Sequence, residues 1–263
     1  MPRTFSEEEQ EALAEQMLEA VNELDAGKVL ALLDSGVPAD VWDITDEDGD
    51  LPLQVVAGMD GEAALAIAKA LVEAGADIDF QGCYECTALA RAIEADGSNR
   101  DDWAIARYLI GARANPSLRD KDGQCPAEYA NSSGNDDAIL AMLDAGMDPN
   151  LKGVCGTLIW YVSYDSPELV KALLAHGANP NAATFGFGFE GETPLQRAKE
   201  AFELGGAEDT FCDIAMQLIQ AGADPAQIDP APDCLAAFLL ARKEKSIFSG
   251  LPPGKVGTRS DPL

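Results

Sequence analysis

Among 263 residues there is one histidine, 6% aromatics and only 18 basic side chains against 46 acidic ones, and no long apolar run. Each shortage removes a class of function. A lone His176, with no serine or cysteine in a context resembling an activated nucleophile, leaves acid–base and nucleophilic catalysis without a visible apparatus. His176 stands in a loop phrase before Gly177, where a solvated residue is the expected reading. The net charge of −28 repels phosphate backbones and anionic lipid surfaces, so neither nucleic acid nor membrane is the expected partner. Without about 20 consecutive apolar residues there is nothing to span a bilayer. No charged-then-apolar leader opens the chain, so a cytoplasmic location with reduced cysteines is the expectation.

Small-ligand chemistry has little to stand on. Cys83-x-x-Cys86 has metal or redox spacing but no second pair, and Cys125 and Cys155 fall in later turns, too far apart for one tetrahedral site. No metal and no cofactor is expected. Gly186-Phe187-Gly188-Phe189-Glu190-Gly191 fits the letters of a dinucleotide loop, yet it is not set between a strand and a helix. The acidic group around Asp43 to Asp50 lacks the calcium-loop register.

What is present is a recurring phrase. An apolar helix end, a glycine, a small residue and then Asp or Asn appear as Leu71-Val72-Glu73-Ala74-Gly75-Ala76-Asp77, and again around Gly146, Gly177 and Gly222. Partial copies sit at Gly36 and at Ala112-Arg113-Ala114-Asn115. The glycine slots, at 36, 75, 113, 146, 177 and 222, are separated by 39, 38, 33, 31 and 45 residues. Periods of this size belong to stacked arrays, which work through extended surfaces. About a dozen residues after each slot a second phrase starts a helix: Leu51-Pro52-Leu53-Gln54, Thr87-Ala88-Leu89-Ala90, Cys125-Pro126-Ala127-Glu128, Thr157-Leu158-Ile159-Trp160 and Thr193-Pro194-Leu195-Gln196. Thr as N-cap and Pro at the first helical position explain the start mechanically.

These alternating phrases resemble ankyrin repeats, whose inner helix opens on Thr-Pro-Leu-His. The resemblance implies an all-α, ankyrin-like solenoid of about six stacked helix pairs with projecting hairpin loops. It departs from the family in the fourth slot, where Gln54, Ala90, Glu128, Trp160 and Gln196 replace the histidine. The hydrogen bonds which that histidine makes to the hairpin backbone in the family therefore need other donors and acceptors here.

The array is read as residues 1–246, with 247–263 a flexible tail. A capping box at Ser6 and Glu9 opens a first helix that packs Leu13, Met17, Val21 and Leu24 inward and leaves Glu11, Glu15, Glu19 and Glu23 in water. Asp233 is placed to cap a last helix. Outer helices should begin near Glu62, Asp102, Asp136, Pro167 and Thr210.

The function expected is non-enzymatic protein binding by a monomer through the hairpin tips and inner-helix face. The first 50 residues hold 15 acidic and two basic side chains, so a basic partner would be steered to that end. The acidic contact residues are Asp43, Asp46, Glu47, Asp48, Asp50, Glu85 and Glu190, and the aromatic anchors are Trp42, Phe80, Tyr84, Trp160, Phe185, Phe187 and Phe189. Trp160 and the Phe185 loop equally fit a supporting role within the fold. Small acidic stand-alone chains of this kind resemble inhibitors that neutralise a toxin or enzyme, as immunity proteins do. A scaffold for several partners is the alternative, and an acidic nucleic-acid mimic the rival of another class.

Overall fold

The computed structural model describes residues 6–41, 49–95, 103–154, 156–185, 190–228 and 235. Its described residues form α-helices in consecutive pairs: α1 (Glu7–Asn22) with α2 (Ala26–Asp34), α3 (Pro52–Ala57) with α4 (Glu62–Glu73), and α5 (Ala88–Ala95) with α6 (Ala104–Gly111). The pairs continue as α7 (Pro126–Ser133) with α8 (Asp136–Asp144), α9 (Leu158–Val162) with α10 (Pro167–Ala175), and α11 (Pro194–Glu203) with α12 (Glu208–Ala221). Odd-numbered helices pack on one another in chain order as an inner layer, and even-numbered ones as an outer layer. The architecture is an all-α solenoid, as the resemblance implied.

Local chemistry starts the helices where the phrases placed them. At α1 the Ser6 hydroxyl accepts the Glu9 N–H at 3.3 Å and the Glu9 carboxylate accepts the Ser6 N–H at 2.9 Å. Thr193 and Gln196 close the same box on α11. Proline occupies the first turn of α3, α7, α10 and α11, where its missing N–H costs nothing. Met17 and Val21 are fully buried, Leu13 and Leu24 pack against the core, and the four glutamates of the opposite face are exposed.

The glycine phrase ends each outer helix by a left-handed residue. Gly36, Gly75, Gly146, Gly177 and Gly222 have φ between 92° and 114°, and Arg113 occupies the degenerate slot at φ 69°. The Asp or Asn that follows makes an Asx turn: the side chains of Asp77, Asn115, Asp148, Asn179 and Asp224 each accept the N–H two residues on, at 2.9–3.1 Å. Four residues beyond the slots at Gly36, Gly75, Gly146 and Gly177, a second polar side chain reaches the next repeat. Asp40 accepts the Asp77 N–H, Asp79 the Asn115 N–H at 2.7 Å and Asn150 the Asn179 N–H at 2.8 Å, while the Asn181 amide donates to the Gly222 carbonyl. This polar ladder couples neighbouring repeats along one edge.

Cys212, 7% exposed on α12, is disulfide-bonded, which corrects the reading of uniformly reduced cysteines; Cys83, Cys86 and Cys125 are free. The C-terminal capping helix and tail lie outside the described residues, except that Leu235 is helical and fully buried in the core.

Candidate functional site

Between the helix pairs, the segments that follow the glycine phrases project as a row of hairpin loops bonded side to side. Gln54 donates from Nε2 to the Phe80 carbonyl at 2.9 Å, tying α3 to the second hairpin. The Asp50 carboxylate accepts the Cys83 N–H at 3.0 Å. Gln81 donates to the Arg119 carbonyl at 2.7 Å, and Lys121 N–H to the Tyr84 carbonyl at 3.0 Å, joining the second hairpin to the third. Glu128 accepts the Val154 N–H at 2.6 Å, joining α7 to the fourth. The Trp160 indole donates to Glu192 at 3.2 Å, joining α9 to the fifth. Three of the fourth-slot residues, Gln54, Glu128 and Trp160, thus reach the hairpin that follows, with an amide, a carboxylate and an indole. Gln196 bonds its own N-cap instead, and Ala90 has nothing to offer.

Each hairpin is also braced from within. In the third, Asp120 is 8% exposed and accepts the Asp122 and Gln124 N–H groups, both at 2.9 Å, and the Tyr129 hydroxyl. Burial, reinforced by that carboxylate, pushes the Tyr129 phenol well above its ordinary range. In the fifth, Thr184 and Glu192 pair through Thr184 N–H to Glu192 carbonyl at 2.9 Å, and Gly191 N–H returns to the Thr184 carbonyl at 3.0 Å. Burial, with Glu200 nearby, raises the Glu192 carboxyl, and Arg197 opposes the rise.

The sequence-derived contact residues divide into three groups. Phe80, Tyr84 and Glu85 come together at the second hairpin. There Tyr84 is 61% exposed, Glu85 is exposed, and half-buried Phe80 lines a cleft of about 450 Å³ with Gly82, Cys83, Tyr84 and Lys121. Phe185, 41% exposed, and exposed Glu190 flank the tip of the fifth hairpin, two hairpins further along the row than Lys121. Trp42, Asp43, Asp46, Glu47, Asp48, Phe187 and Phe189 lie outside the described residues.

Asp50 and Trp160 make their contacts within the fold. Asp50 pairs with Arg91 at 2.7 Å and receives the Cys83 N–H, so its charge is spent inside the fold. Trp160 is 3% exposed, with Arg197 4.8 Å over its ring and Glu192 on its indole, so of the two readings the sequence left open it takes the supporting one, at the fifth hairpin.

Sequence reasoning missed the cations on this face. Lys121 lies 3.4 Å over the Tyr84 ring, Lys152 is 5.8 Å from the Phe185 ring, and Arg197 is 4.7 Å over the half-exposed Tyr164. The scarcity of basic residues was the signal that could have drawn attention to them. His176 caps α10, bonding through Nδ1 to the Ala172 carbonyl at 2.9 Å. Among the described residues no group of three or more His, Cys, Asp or Glu is placed to hold a metal ion. None of the described helices is long and apolar enough to cross a membrane.

Comparison with known proteins places the fold. Residues 157–185 match the ankyrin repeat family model. The chain is similar to the crystal structure of EF0377, an ankyrin repeat protein, at 21% identity and a TM-score of 0.59, covering 82% of this chain and 99% of that one. It is also similar to the ankyrin repeat domain of Bcl-3, a member of the IkappaB family, at 19% identity and a TM-score of 0.60, covering 80% and 87%. No curated protein sequence matches. The fold is therefore that of an ankyrin-repeat solenoid.

Proposed function

We infer that this protein binds another protein non-covalently along its hairpin tips and inner-helix face, without catalysing a reaction. One observation carries the reading. The row of laterally bonded hairpins holds exposed Tyr84 and Glu85 at one position and exposed Phe185 and Glu190 at another, on a scaffold that itself has no need of them. Aromatic anchors beside carboxylates suit a partner that is basic and partly apolar. The net charge of −28 would speed its arrival, and that steering would weaken with salt. The partner in this reading is a basic enzyme or toxin whose activity falls when its own surface is covered, and the chain acts as a monomer.

Capture from the native cytosol with tagged protein tests it, at about 0.05 M and about 0.5 M salt. One basic protein should co-purify in stoichiometric amount, lose activity on binding, and be released when Glu85 and Glu190 are changed to Gln together with Tyr84 and Phe185 to Ser. Retention of the same partner by that four-fold variant would refute the assignment of the face. Several unrelated partners would replace inhibition with scaffolding.

A further inference from the structure

The corner of the second hairpin is built against backbone preference. Tyr84 and Glu85 stand in succession at φ 61° and 57°, a left-handed geometry that crowds any Cβ. The third and fifth hairpins turn through Gly123 at φ 81° and Gly191 at φ 82°, where no Cβ is crowded. A tyrosine at such a corner, 61% exposed, adds nothing to the core. Strain combined with exposure is the signature of a position used for its side chain.

The ring already carries a cation. The Lys121 ammonium lies 3.4 Å from its centroid, and among the described residues Lys121 makes no ion pair that would anchor it there. Beside the ring the cleft of about 450 Å³ is walled by Gly49, Phe80, Gln81, Gly82 and Cys83, with exposed Glu85 at its edge. A mixed lining, with the Phe80 ring on one side and an electron-rich ring and a carboxylate at the mouth, matches a long side chain with a charged end, stem along Phe80 and head at the mouth.

We propose that this cleft receives an arginine or lysine side chain of the partner protein, its stem along Phe80 and its charged head on Tyr84, in exchange for Lys121. The assignment rests on the hairpin face being a protein-binding surface. Lys121 demonstrates that the ring accommodates a cation, and the −28 charge of the chain favours a cationic occupant over an acidic one. The backbone bond of Lys121 to Tyr84 stays in place while its ammonium, held only by the ring, swings into solvent when displaced.

The test is a titration of the full chain with acetyl-arginine amide at about 0.5 M salt, where diffuse attraction to the acidic surface is screened. It is followed by the ring resonances of Tyr84, assigned from their loss in Tyr84→Leu. The arginine amide should shift those resonances and acetyl-glutamate amide should not. Lys121→Met, which keeps the stem and removes the competing charge, should strengthen arginine binding about two- to fivefold. Weaker or unchanged binding in Lys121→Met would overturn the exchange. A response to the glutamate amide would overturn it too, making Lys121 the contact for an acidic partner. Capture of a partner that survives Tyr84→Leu but fails on disruption of the whole face would sink this inference alone. Failure to capture any partner would sink the broader reading and leave the titration to decide this one.

Discussion

Replacing Asp50 separates a docking residue from a structural one. In the sequence it belongs to an acidic run that looks made for a basic partner; in the fold its carboxylate accepts the Cys83 N–H at 3.0 Å and pairs with Arg91 at 2.7 Å. The second hairpin comes so close that a Cβ on Gly82 would sit 2.6 Å from the same carboxylate oxygen. The Asp50 and Arg91 side chains are 19% and 28% exposed, so the pair is only partly screened. Asp50→Ala leaves one backbone donor and one guanidinium without their acceptor. At roughly 1.5–3 kcal/mol for a charged hydrogen bond, less for residual solvent, the loss should be about 2–3 kcal/mol. In a chain of this length that lowers Tm by about 4–10 °C. Asp50→Asn keeps an acceptor for Cys83 and should lose about half as much. Because repeat arrays can open piecewise, hydrogen exchange at the Cys83 amide is the sharper assay, and its protection should collapse in Asp50→Ala. Glu85→Gln, at an exposed tip, should move Tm by no more than about 0.5 kcal/mol would. If Asp50→Ala melts with the parent and loses only partner affinity, the structural assignment is refuted.

Other changes should be equally readable. Arg113→Gly relieves a left-handed residue at φ 69°, and after the entropic penalty of glycine should stabilise the chain by about 0.5–1 kcal/mol in a urea melt; destabilisation would mean the Arg113 side chain holds something. Trp160→Ala removes a buried ring and the bond to Glu192, at about 3–5 kcal/mol, and should disorder the fifth hairpin by hydrogen exchange while leaving the second intact. Burial pushes the Cys86 and Cys125 thiols to about 11. The folded chain therefore holds those protons above the ordinary value of 9.0, so their contribution is complete below pH about 9 and is lost as pH rises towards about 11. Denaturant melts across that window should show the decline. Alkylation near neutral pH, mapped by mass spectrometry, should mark half-buried Cys83 before Cys86 or Cys125, and equal rates would contradict the burial.

The repeat was legible because its physics is local. A left-handed glycine, an Asx turn, an N-cap and a first-turn proline each require particular residues at fixed offsets, so they leave a phrase in the sequence. Even the failed copy at Arg113 keeps the left-handed backbone of the other slots, at φ 69°. The polar ladder was not legible. Asp40, Asp79, Asn150 and Asn181 look like ordinary loop residues until the next repeat is stacked against them, and only stacking shows that they face a backbone group 27 to 41 positions away. The same blindness governs the candidate site. Asp50 and Glu85 are both carboxylates in hairpins, and nothing in their neighbours separates one paired with Arg91 from one left in water. Trp160 and Tyr84 are both aromatics near hairpins, and one is sealed under Arg197 while the other is thrust outward by a left-handed turn that sequence alone would not assign to tyrosine. Side chains acting within a turn can be read one residue at a time; those acting between turns acquire their role from whatever the stack places opposite. For a solenoid, whose function lies on the surface that stacking creates, the sequence therefore reveals the scaffold more readily than the residues left over for a partner.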